Sequence, residues 1–514
     1  MRKGKWIFRN KPDAMDLEKQ GIPPEDTKAS SISPSIEENE EILKERVGIG
    51  TSFDTGIRRL HILDREIQIY YVNGLVDMEA LTELLKELMK VEARDRKTPY
   101  VREAVENHLT EVQVDYKDNL EDCIVEMLSG LVFILIDGEE RALVVDVRNY
   151  PGRSPKEPDN EKVVRGARDG YTENIIENTG LTRRRVRDER LRHEIMRVGV
   201  RSKTDICISY IEDIADPDMV NIIKDELKAI NVDGLSMADK VVEEYIVDQG
   251  ANPMPLVRYT ERPDVAAVHL FEGHVVIIVD ASPSVIITPT TFFHHVQHAE
   301  EYRQAPFIGT YLRWIRFFGM FASLFILPLW LLVVLEPQLL PDQLNYIGPT
   351  EDSNVSEFMQ IVIAEIGIEL MRMAAIHTPS PLATALGLVA ALLIGEIAIE
   401  VGLFTSEVIL YVALGAIGTF ATPSYELGIA LKIFRFILLI AVVSFQAVGF
   451  VITTTVLFLF LASIRSLNKP YLWPFLPFDG KALWQVLVRT TVPNLRRRPG
   501  IVNPQDKIRQ PPKA

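Results

Sequence analysis

Basic residues are missing from two long stretches of this chain. No Lys or Arg lies between Arg316 and Arg372, and none lies between Met373 and Lys432. Long apolar runs fill much of these stretches, for example Phe317–Leu335. A helix needs roughly 20 apolar residues to cross the hydrocarbon core of a bilayer. The absence of charge therefore predicts membrane-spanning helices after residue 300 and excludes a protein that is soluble along its whole length.

Cysteine is scarce, and no signal peptide can be recognised. Cys123 and Cys207 are the only two cysteines among 514 residues, which excludes a disulfide framework and indicates a reducing, cytosol-facing compartment. The segment Met1–Arg9 is basic, but no apolar run follows it, so the N-terminal part is expected to stay in the cytoplasm. The net charge of −15 argues against nucleic acid as a partner.

Motifs of common enzyme classes are also missing. The chain has no GxxxxGK(S/T) phosphate loop, no GxSxG elbow and no HExxH zinc motif. We therefore predict a protein that is not an enzyme and needs no cofactor. His294, His295 and His298 include an i, i+4 pair with metal-ligand spacing, but no Cys stands nearby. A polar juxtamembrane helix explains them more simply, so we predict no metal site.

Two segments of the N-terminal half resemble each other. Leu131–Val147 reads as a strand, an Asp-Gly turn and a returning strand, and Val275–Thr288 repeats this scheme. We infer an α/β soluble head of two lobes, followed by an all-α multi-span transmembrane bundle. The predicted domains are a flexible segment at 1–45, lobe 1 at 46–150, lobe 2 at 151–290, a juxtamembrane helix at 291–313, a transmembrane domain at 314–464 and a cytoplasmic tail at 465–514.

The apolar half contains five candidate spans. A belt of Tyr311, Arg313, Trp314 and Arg316 precedes the first, and the basic tail suggests that both termini lie in the cytoplasm, which requires an even number of crossings. We predict four full spans, with Phe358–Ile376 re-entrant or interfacial because charged residues interrupt it. The alternative gives that segment a full span and makes Glu407–Phe420 re-entrant. The other candidates are Trp314–Leu335, Leu382–Phe404 and Ile433–Ile464.

Charged residues inside the apolar half are the candidate functional groups. Glu365, Glu369 and Arg372 share one helix face by their spacing, and Glu396 and Glu400 form a second i, i+4 pair. Such groups are costly at membrane depth unless they are hydrated or paired. One hypothesis is that they line a cation-selective pore of an oligomer. The other is that Arg372 pairs with a Glu to lock helices together, while Glu400 reaches the interface.

Two further patterns leave alternatives open. Thr378-Pro379-Ser380 and Thr422-Pro423-Ser424 echo each other, either as broken transporter helices or as two independent helix starts. Arginines crowd the head, either as an interface or as a solvated surface with local ion pairs. The candidates for a head interface are Arg165, Arg168, Arg183, Arg184 and Arg185.

Several motifs, in order along roughly residues 45 to 500, carry a resemblance to a known family. The chain resembles the A-subunit family of bacterial spore germinant receptors (GerA type). The motifs are Arg165–Glu173, Leu181–Arg185, Val279–Pro283, Glu369–Ala374, Leu393–Glu396 and Thr422–Tyr425.

This resemblance implies a multi-pass protein of the inner membrane of the dormant endospore that acts in germination. Family A subunits are understood to assemble into oligomeric channels that release monovalent cations, so the expected partners are lipid, further copies of the chain, monovalent cations and other germination membrane proteins. A secondary transporter, or a scaffold that the helices only anchor, are the alternatives.

Overall fold

The structure is a computed structural model that describes residues 31–91, 101–109, 113–150, 161–341, 343, 347–348, 354–377 and 397–510. The chain divides into two compact units. We call the first unit the head; it comprises Met1–Asp248, Val257–Pro289 and Thr490–Ala514. We call the second unit the bundle; it comprises Gln249–Leu256 and Thr290–Arg489.

The first lobe of the head is a five-stranded antiparallel sheet with helices on both faces. Its strands follow the spatial order β1-β2-β4-β5-β3. The elements in chain order are α1 Ile36–Val47, β1 Thr55–Ile62, β2 Arg65–Val72, α2 Met78–Leu88, α3 Val101–Glu106, β3 Val114–Lys117, α4 Leu120–Leu128, β4 Val132–Ile136 and β5 Ala142–Val145.

The second lobe repeats the first. Its antiparallel sheet has the matching order β6-β7-β9-β10-β8, so the predicted pair of lobes is confirmed. The elements are α5 Ile175–Arg185, β6 Leu191–Val198, β7 Thr204–Ile211, α6 Pro217–Ala229, α7 Ala238–Ile246, β8 Arg258–Thr260, α8 Pro263–Glu272, β9 Val275–Val279 and β10 Val285–Thr288.

The sheet of lobe 1 is covered on both faces, which explains why its central strands are apolar at every position. Phe133 and Leu135 of β4 pack into a core with α1 and α4. Ile134 and Ile136 point to the other face and pack with α2 and α3. Since successive side chains of a strand alternate between faces, a strand between two helical layers needs a continuous apolar run.

The predicted flexible segment is wrong over 36–45. Helix α1 begins at Ile36, where the Ser35 hydroxyl accepts a hydrogen bond from Glu38 N, and it ends at Gly48 in the left-handed region. Its Leu43 and Val47 are fully buried in the core of lobe 1. The local composition, rich in Ser and Glu, is typical of a flexible segment, but packing against the core of lobe 1 stabilises a helix here.

The bundle consists mainly of long apolar helices. Among the described residues, the helices Pro306–Leu335 and Tyr425–Ser463 are long and apolar enough to cross a membrane, and Ser406–Phe420 is a shorter apolar helix. The helices are α9 Ala299–Arg303, α10 Pro306–Leu335, α11 Glu357–His377, α12 Ser406–Phe420, α13 Tyr425–Ser463 and α14 Gly480–Leu487, with a single turn at Ala398–Glu400 and a small ribbon of β11 Arg465–Ser466 and β12 Lys469–Pro470.

Helix α13 folds back on itself, contrary to the single span predicted at Ile433–Ile464. Gln446 has φ 52° and ψ −133°, which interrupts the helix. The rings of Phe434 and Phe460 lie 5.9 Å apart, whereas a straight helix would separate them by roughly 39 Å. A Cβ at position 449 would stand 2.1 Å from the carbonyl oxygen of Ala441, so Gly449 permits this reversal. We call 425–445 the first arm and 447–463 the second arm.

The helices of the bundle alternate in direction. Helix α12 is antiparallel to α10, because Tyr411 stacks on Trp330 while Gly418 approaches Gly319. The first arm is antiparallel to α12, with Gly428 beside Thr419. The ion pairs described below show that α11 is antiparallel to the first arm. The bundle therefore has two ends, which we name after α10: the Pro306 end and the Leu335 end.

Several predicted boundaries change in the bundle. The segment Phe358–Ile376, predicted as re-entrant or interfacial, lies in one continuous helix, α11. Whether this helix crosses the membrane stays a prediction. The predicted juxtamembrane helix at 291–313 is broken, since Pro306 starts α10 and extended residues precede it. The predicted tail is divided: 465–489 belong to the bundle, and 490–510 pack with the head. Most of the span predicted at Leu382–Phe404 lies outside the described residues.

Candidate functional site

Three cations and two carboxylates form an ion-pair network between α11 and the first arm. Arg435 Nη2 lies 2.7 Å from Glu365 Oε1. Lys432 Nζ bridges the two carboxylates, at 3.1 Å from Glu365 Oε2 and 2.9 Å from Glu369 Oε2. Glu369 also pairs with Arg372 one turn further along α11. Glu365 is 1% exposed, so this network lies inside the apolar bundle.

Arg435 connects this network to two more helices. Its Nη1 donates a hydrogen bond of 2.7 Å to the carbonyl oxygen of Ser323 in α10. On the side of α12, a Cβ at Gly415 would stand 2.9 Å from the same nitrogen. The guanidinium therefore fits because position 415 has no side chain. Four helix segments meet around one buried arginine.

The predicted intramembrane residues have different surroundings. Glu365, Glu369 and Arg372 all lie in α11, and Arg372 pairs with Glu369 inside this helix. The ion pairs to another helix come from Lys432 and Arg435. Glu400 is exposed, and its backbone turn lies near Gln360 and Thr405 at the Leu335 end. Glu396 lies outside the described residues. Whether any of these groups lines a pore stays a prediction.

Sequence reasoning missed Lys432 and Arg435, the partners of the two glutamates. The signal was available: a Lys and an Arg at i, i+3 interrupt an apolar helix, just as Glu365 and Glu369 at i, i+4 interrupt another. Opposite charges at matched helical spacing in two apolar helices predict a pair between them, because neither set is stable alone in an apolar environment.

The two ends of the bundle differ in charge. The Leu335 end has acidic residues: Glu336 caps α10, Glu357 starts α11 and Glu407 lies in the first turn of α12, with Glu400 near them. The sequence places no Lys or Arg in the segments that form this end. At the Pro306 end Lys and Arg outnumber Asp and Glu: Arg303, Arg313, Arg316, Arg465, Lys469, Lys481 and Arg489 stand against Glu300, Glu301, Glu426 and Asp479.

A second buried ion cluster lies at the Pro306 end. Glu301 of α9 is fully buried, and its Oε2 lies 2.7 Å from Arg313 Nε. Arg316 pairs with the other carboxylate oxygen. Arg313 also donates hydrogen bonds to the carbonyl oxygens of Gln485 and Val486 in α14. The predicted interfacial arginines therefore hold α9, α10 and α14 together.

The head contains a buried polar cluster that joins its two lobes. Arg183 of α5 is fully buried, and its Nε lies 2.7 Å from Asp54 Oδ2 in the loop before β1. His193 of β6 lies next to this pair and shares a hydrogen bond of 2.7 Å with Ser209. Burial opposes ionisation of Asp54, but the adjacent Arg183 guanidinium lowers the pKa of that carboxyl to about 2. The prediction that Arg183 forms a surface interface is therefore wrong.

The other arginines predicted for a head interface differ from one another. Arg184 lies over the ring of Tyr150 at 4.6 Å, and Arg185 pairs with Asp169 at 2.5 Å. Both therefore have partners within the chain. Arg165 and Arg168 are exposed, so the interface prediction remains open for these two residues.

No group of three or more His, Cys, Asp or Glu that could hold a metal ion occurs in the part of the chain that the structure describes. Of the three histidines considered above, His294 accepts from Thr291 N at 3.0 Å, and His298 caps α9 by accepting from Glu300 N. These two rings act in local backbone turns.

The chain is similar in sequence to several known proteins. Residues 41–501 match the model of the Bacillus/Clostridium GerA spore germination protein family. The chain is 60% identical over 473 residues to stage V sporulation protein AF of Bacillus subtilis, covering 92% of this chain and 96% of that protein. It is 30% identical to spore germination protein KA of Bacillus subtilis, covering 93% and 89%. The N-terminal domain of the A subunit of the Bacillus megaterium germinant receptor GerK3, a crystal structure, is 31% identical over 52% of this chain and 98% of that one, with a TM-score of 0.42.

Proposed function

The chain belongs to the GerA family of spore germination proteins, and from this premise we propose that several copies of it form a channel for monovalent cations. The proposed location is the inner membrane of the endospore, with the head and both termini on the cytoplasmic side. We infer no enzymatic activity. Because its relatives are named as spore germination proteins, we also infer that it associates with other germination membrane proteins.

A membrane location agrees with the surface of the bundle. Its helices expose large apolar side chains that water would solvate poorly, while the charged groups of the network are paired inside. The exposed side chains include Phe318 and Phe321 of α10, Ile366 and Leu370 of α11, and Val448, Val451 and Ile452 of the second arm.

The directions of the helices support an even number of crossings. Helices α10, α11 and α12 and the two arms of α13 give five segments. The apolar run that begins at Leu382 is a sixth predicted span. Six crossings return the C-terminus to the side of the N-terminus, and the basic Pro306 end then faces the cytoplasm, as the positive-inside rule requires.

The acidic Leu335 end is the observation that carries the cation channel. In an oligomer, the exposed Glu400 of each copy would contribute to a negatively charged mouth without any nearby base. Such a mouth attracts cations and repels anions. Glu365 and Glu369, in contrast, are neutralised by Lys432, Arg435 and Arg372, and we assign them the role of locking α11 to the first arm.

Selectivity measurements test this proposal. The purified full-length protein in a planar bilayer is expected to conduct K⁺ in preference to Cl⁻, read from the reversal potential in a KCl gradient. Glu400→Gln should shift the reversal potential toward zero, and Glu400→Asp, which keeps the charge, should not. An anion-selective conductance would overturn the channel proposal, whereas an unchanged Glu400→Gln protein would overturn only the site.

Stoichiometry separates the channel from the transporter. Mass photometry of the detergent-purified protein is expected to give an oligomer. A monomer that moves a solute without conductance would favour a secondary transporter. If neither conductance nor solute flux is found, and the head on an unrelated membrane anchor restores germination, the scaffold is the function.

A further inference from the structure

A loop after the second arm exposes an apolar surface. Phe475, Leu476, Pro477 and Phe478 are all exposed, and Phe478 has 73% of its surface accessible. Trp484, in the short helix α14 that follows, is 63% exposed. We call residues 475–484 the wedge. Transferring one such aromatic side chain from water to an apolar environment is favourable by about 1.5–3 kcal/mol. The wedge is therefore expected to contact an apolar partner.

The exposure of the wedge does not come from loose structure. Tyr471 is fully buried just before it. Phe475 N donates to the carbonyl oxygen of Leu472 at 2.8 Å, and Asp479 N donates to that of Pro474 at 2.9 Å. The side chain of Asp479 then caps α14 by accepting from Lys481 N and Ala482 N. A fixed backbone thus holds the apolar side chains outward.

Neighbouring contacts locate the wedge at the Pro306 end, beside the apolar helices. The ring of Phe475 lies 6.1 Å from that of Phe458 in the second arm. Phe458 precedes the end of this arm by about 7 Å of helix rise, so the wedge overlaps the apolar part of the arm. On the other side, Trp314 donates a hydrogen bond to the carbonyl oxygen of Leu487. Trp314 is itself exposed, which extends the aromatic surface.

Charge next to the wedge favours lipid as its occupant. Lys481 is exposed on the same helix face as Trp484, one turn away. A lysine beside an interfacial tryptophan can extend its ammonium to phosphate headgroups while its stem stays on apolar surface. Arg303, Arg465 and Lys481 are exposed at the Pro306 end, so anionic headgroups meet a complementary charge there.

We propose that the wedge inserts into the bilayer surface at the Pro306 end and binds the headgroup and upper acyl region of anionic lipid. The proposal rests on the membrane location proposed above. The wedge continues the exposed apolar face of the second arm into the interface. It would hold the bundle at a fixed depth in the membrane.

Depth-dependent fluorescence quenching tests the wedge in the full-length protein. Burial raises the pKa of both native thiols, Cys123 and Cys207, to about 12, so a single introduced cysteine takes up the fluorophore NBD. The labelled positions are Phe478→Cys for the wedge, Val456→Cys for the middle of the second arm and Arg201→Cys for an exposed site of the head. The vesicles contain phosphatidylcholine and phosphatidylglycerol with doxyl groups at acyl carbon 5 or 12.

The wedge predicts a specific quenching order. NBD at 478 should be quenched at least twofold more by 5-doxyl than by 12-doxyl lipid, NBD at 456 more by 12-doxyl lipid, and NBD at 201 by neither. Quenching at 456 without quenching at 478 would overturn the wedge and leave the membrane location standing. Absence of quenching at 456 would overturn both. A spin label at 478 that is shielded from lipid and shows dipolar coupling to its copy in a neighbouring subunit would assign the surface to subunit contact instead.

Discussion

Single buried residues join the two lobes of the head. Asp54, Arg183 and His193 come from three separate segments and have no exposed surface. Removing one partner of such a buried ion pair typically costs 3–5 kcal/mol, roughly, because the other charge is left uncompensated. His193 stays neutral in this environment, since burial lowers its pKa to about 4 although the Asp54 carboxylate opposes this shift.

Acidification should therefore loosen the second lobe. The pKa of His193 is depressed on folding, so below about pH 6.5 the unfolded chain binds a proton that the native head does not bind. The stability lost should reach about 3 kcal/mol as pH falls to 4. Asp54 contributes little in this range, because an aspartate of the unfolded chain binds a proton only near pH 3.8; its stabilising effect is lost between there and about pH 2, where the native carboxylate is protonated. Hydrogen exchange of the β6 amides, measured from pH 7 to 4.5 and corrected for intrinsic rates, is expected to show falling protection.

Substitution of His193 isolates this effect. His193→Gln keeps a hydrogen-bonding group for Ser209 but cannot titrate, so its protection should depend less on pH. The matched control is His61→Gln, at an exposed position of β1, which should behave like the unchanged chain. If His193→Gln and the unchanged chain lose protection in parallel, His193 is not the group responsible.

At the scale of elements, the ion-pair network fixes how α11 packs on the first arm. The substitution Glu365→Gln removes one of the two carboxylates that pair with Lys432 and Arg435. We expect it to lower the free energy of unfolding by about 3 kcal/mol. In the double variant Glu365→Gln/Arg435→Gln much of this loss should be recovered, because both charges of the buried pair are gone. The test compares the melting temperatures, in detergent, of the unchanged protein, Glu365→Gln and the double variant. Glu400→Gln is the control, because its side chain is exposed and its replacement should leave the melting temperature unchanged. Equal melting temperatures for Glu365→Gln and Glu400→Gln would contradict the locking role.

Some elements could be predicted from the sequence and others could not. The hairpin β4–β5 follows from Asp137-Gly138 between apolar runs, and Asp216-Pro217 marks the start of α6. The reversal at Gln446 has no clear local signal, because the residue is neither Gly nor Pro and most of its neighbours along the chain are apolar. The role of Gly449 in the reversal is recognisable only from the structure, which places the carbonyl oxygen of Ala441 next to it.

Partners that are distant in sequence were equally hard to predict. Arg183 looked like a surface residue because acidic residues lie close to it along the chain. Its actual partner, Asp54, is 129 positions away. Composition identifies charged residues, but only the fold decides which of them are buried together. Glu365 differs in this respect, because Lys432 and Arg435 interrupt another apolar helix and so mark its partners in the sequence.

At the scale of the whole molecule, the C-terminal segment completes the head. Ile501 and Val502 are buried, Arg498 Nε donates to the carbonyl oxygen of Phe271 at 2.8 Å, and Gln505 N donates to that of Ile214 at 2.9 Å. Arg509 pairs with Glu272 at 2.9 Å. This segment, 490–510, is packed on α8 and on the loop after β7.

Truncation should expose this dependence. A chain that ends after Leu495 loses the buried side chains of Ile501 and Val502, which corresponds to about 3–6 kcal/mol of apolar burial. It also loses several hydrogen bonds. In limited digestion with trypsin, the second lobe of this truncated protein is expected to be cut several-fold faster than that of the full-length protein. The matched control removes only residues 511–514. Identical digestion rates for the two truncated chains would show that 496–510 do not stabilise the head.

The position of this segment in the gene has a consequence for biogenesis. Residues 490–510 leave the ribosome after every helix of the bundle has been translated, yet they fill part of the surface of a lobe synthesised hundreds of codons earlier. The second lobe therefore cannot complete its folding until the helices of the bundle have been synthesised. A chain whose translation stops early would carry a marked defect in its head, which quality-control proteases could recognise before the product joins an assembly.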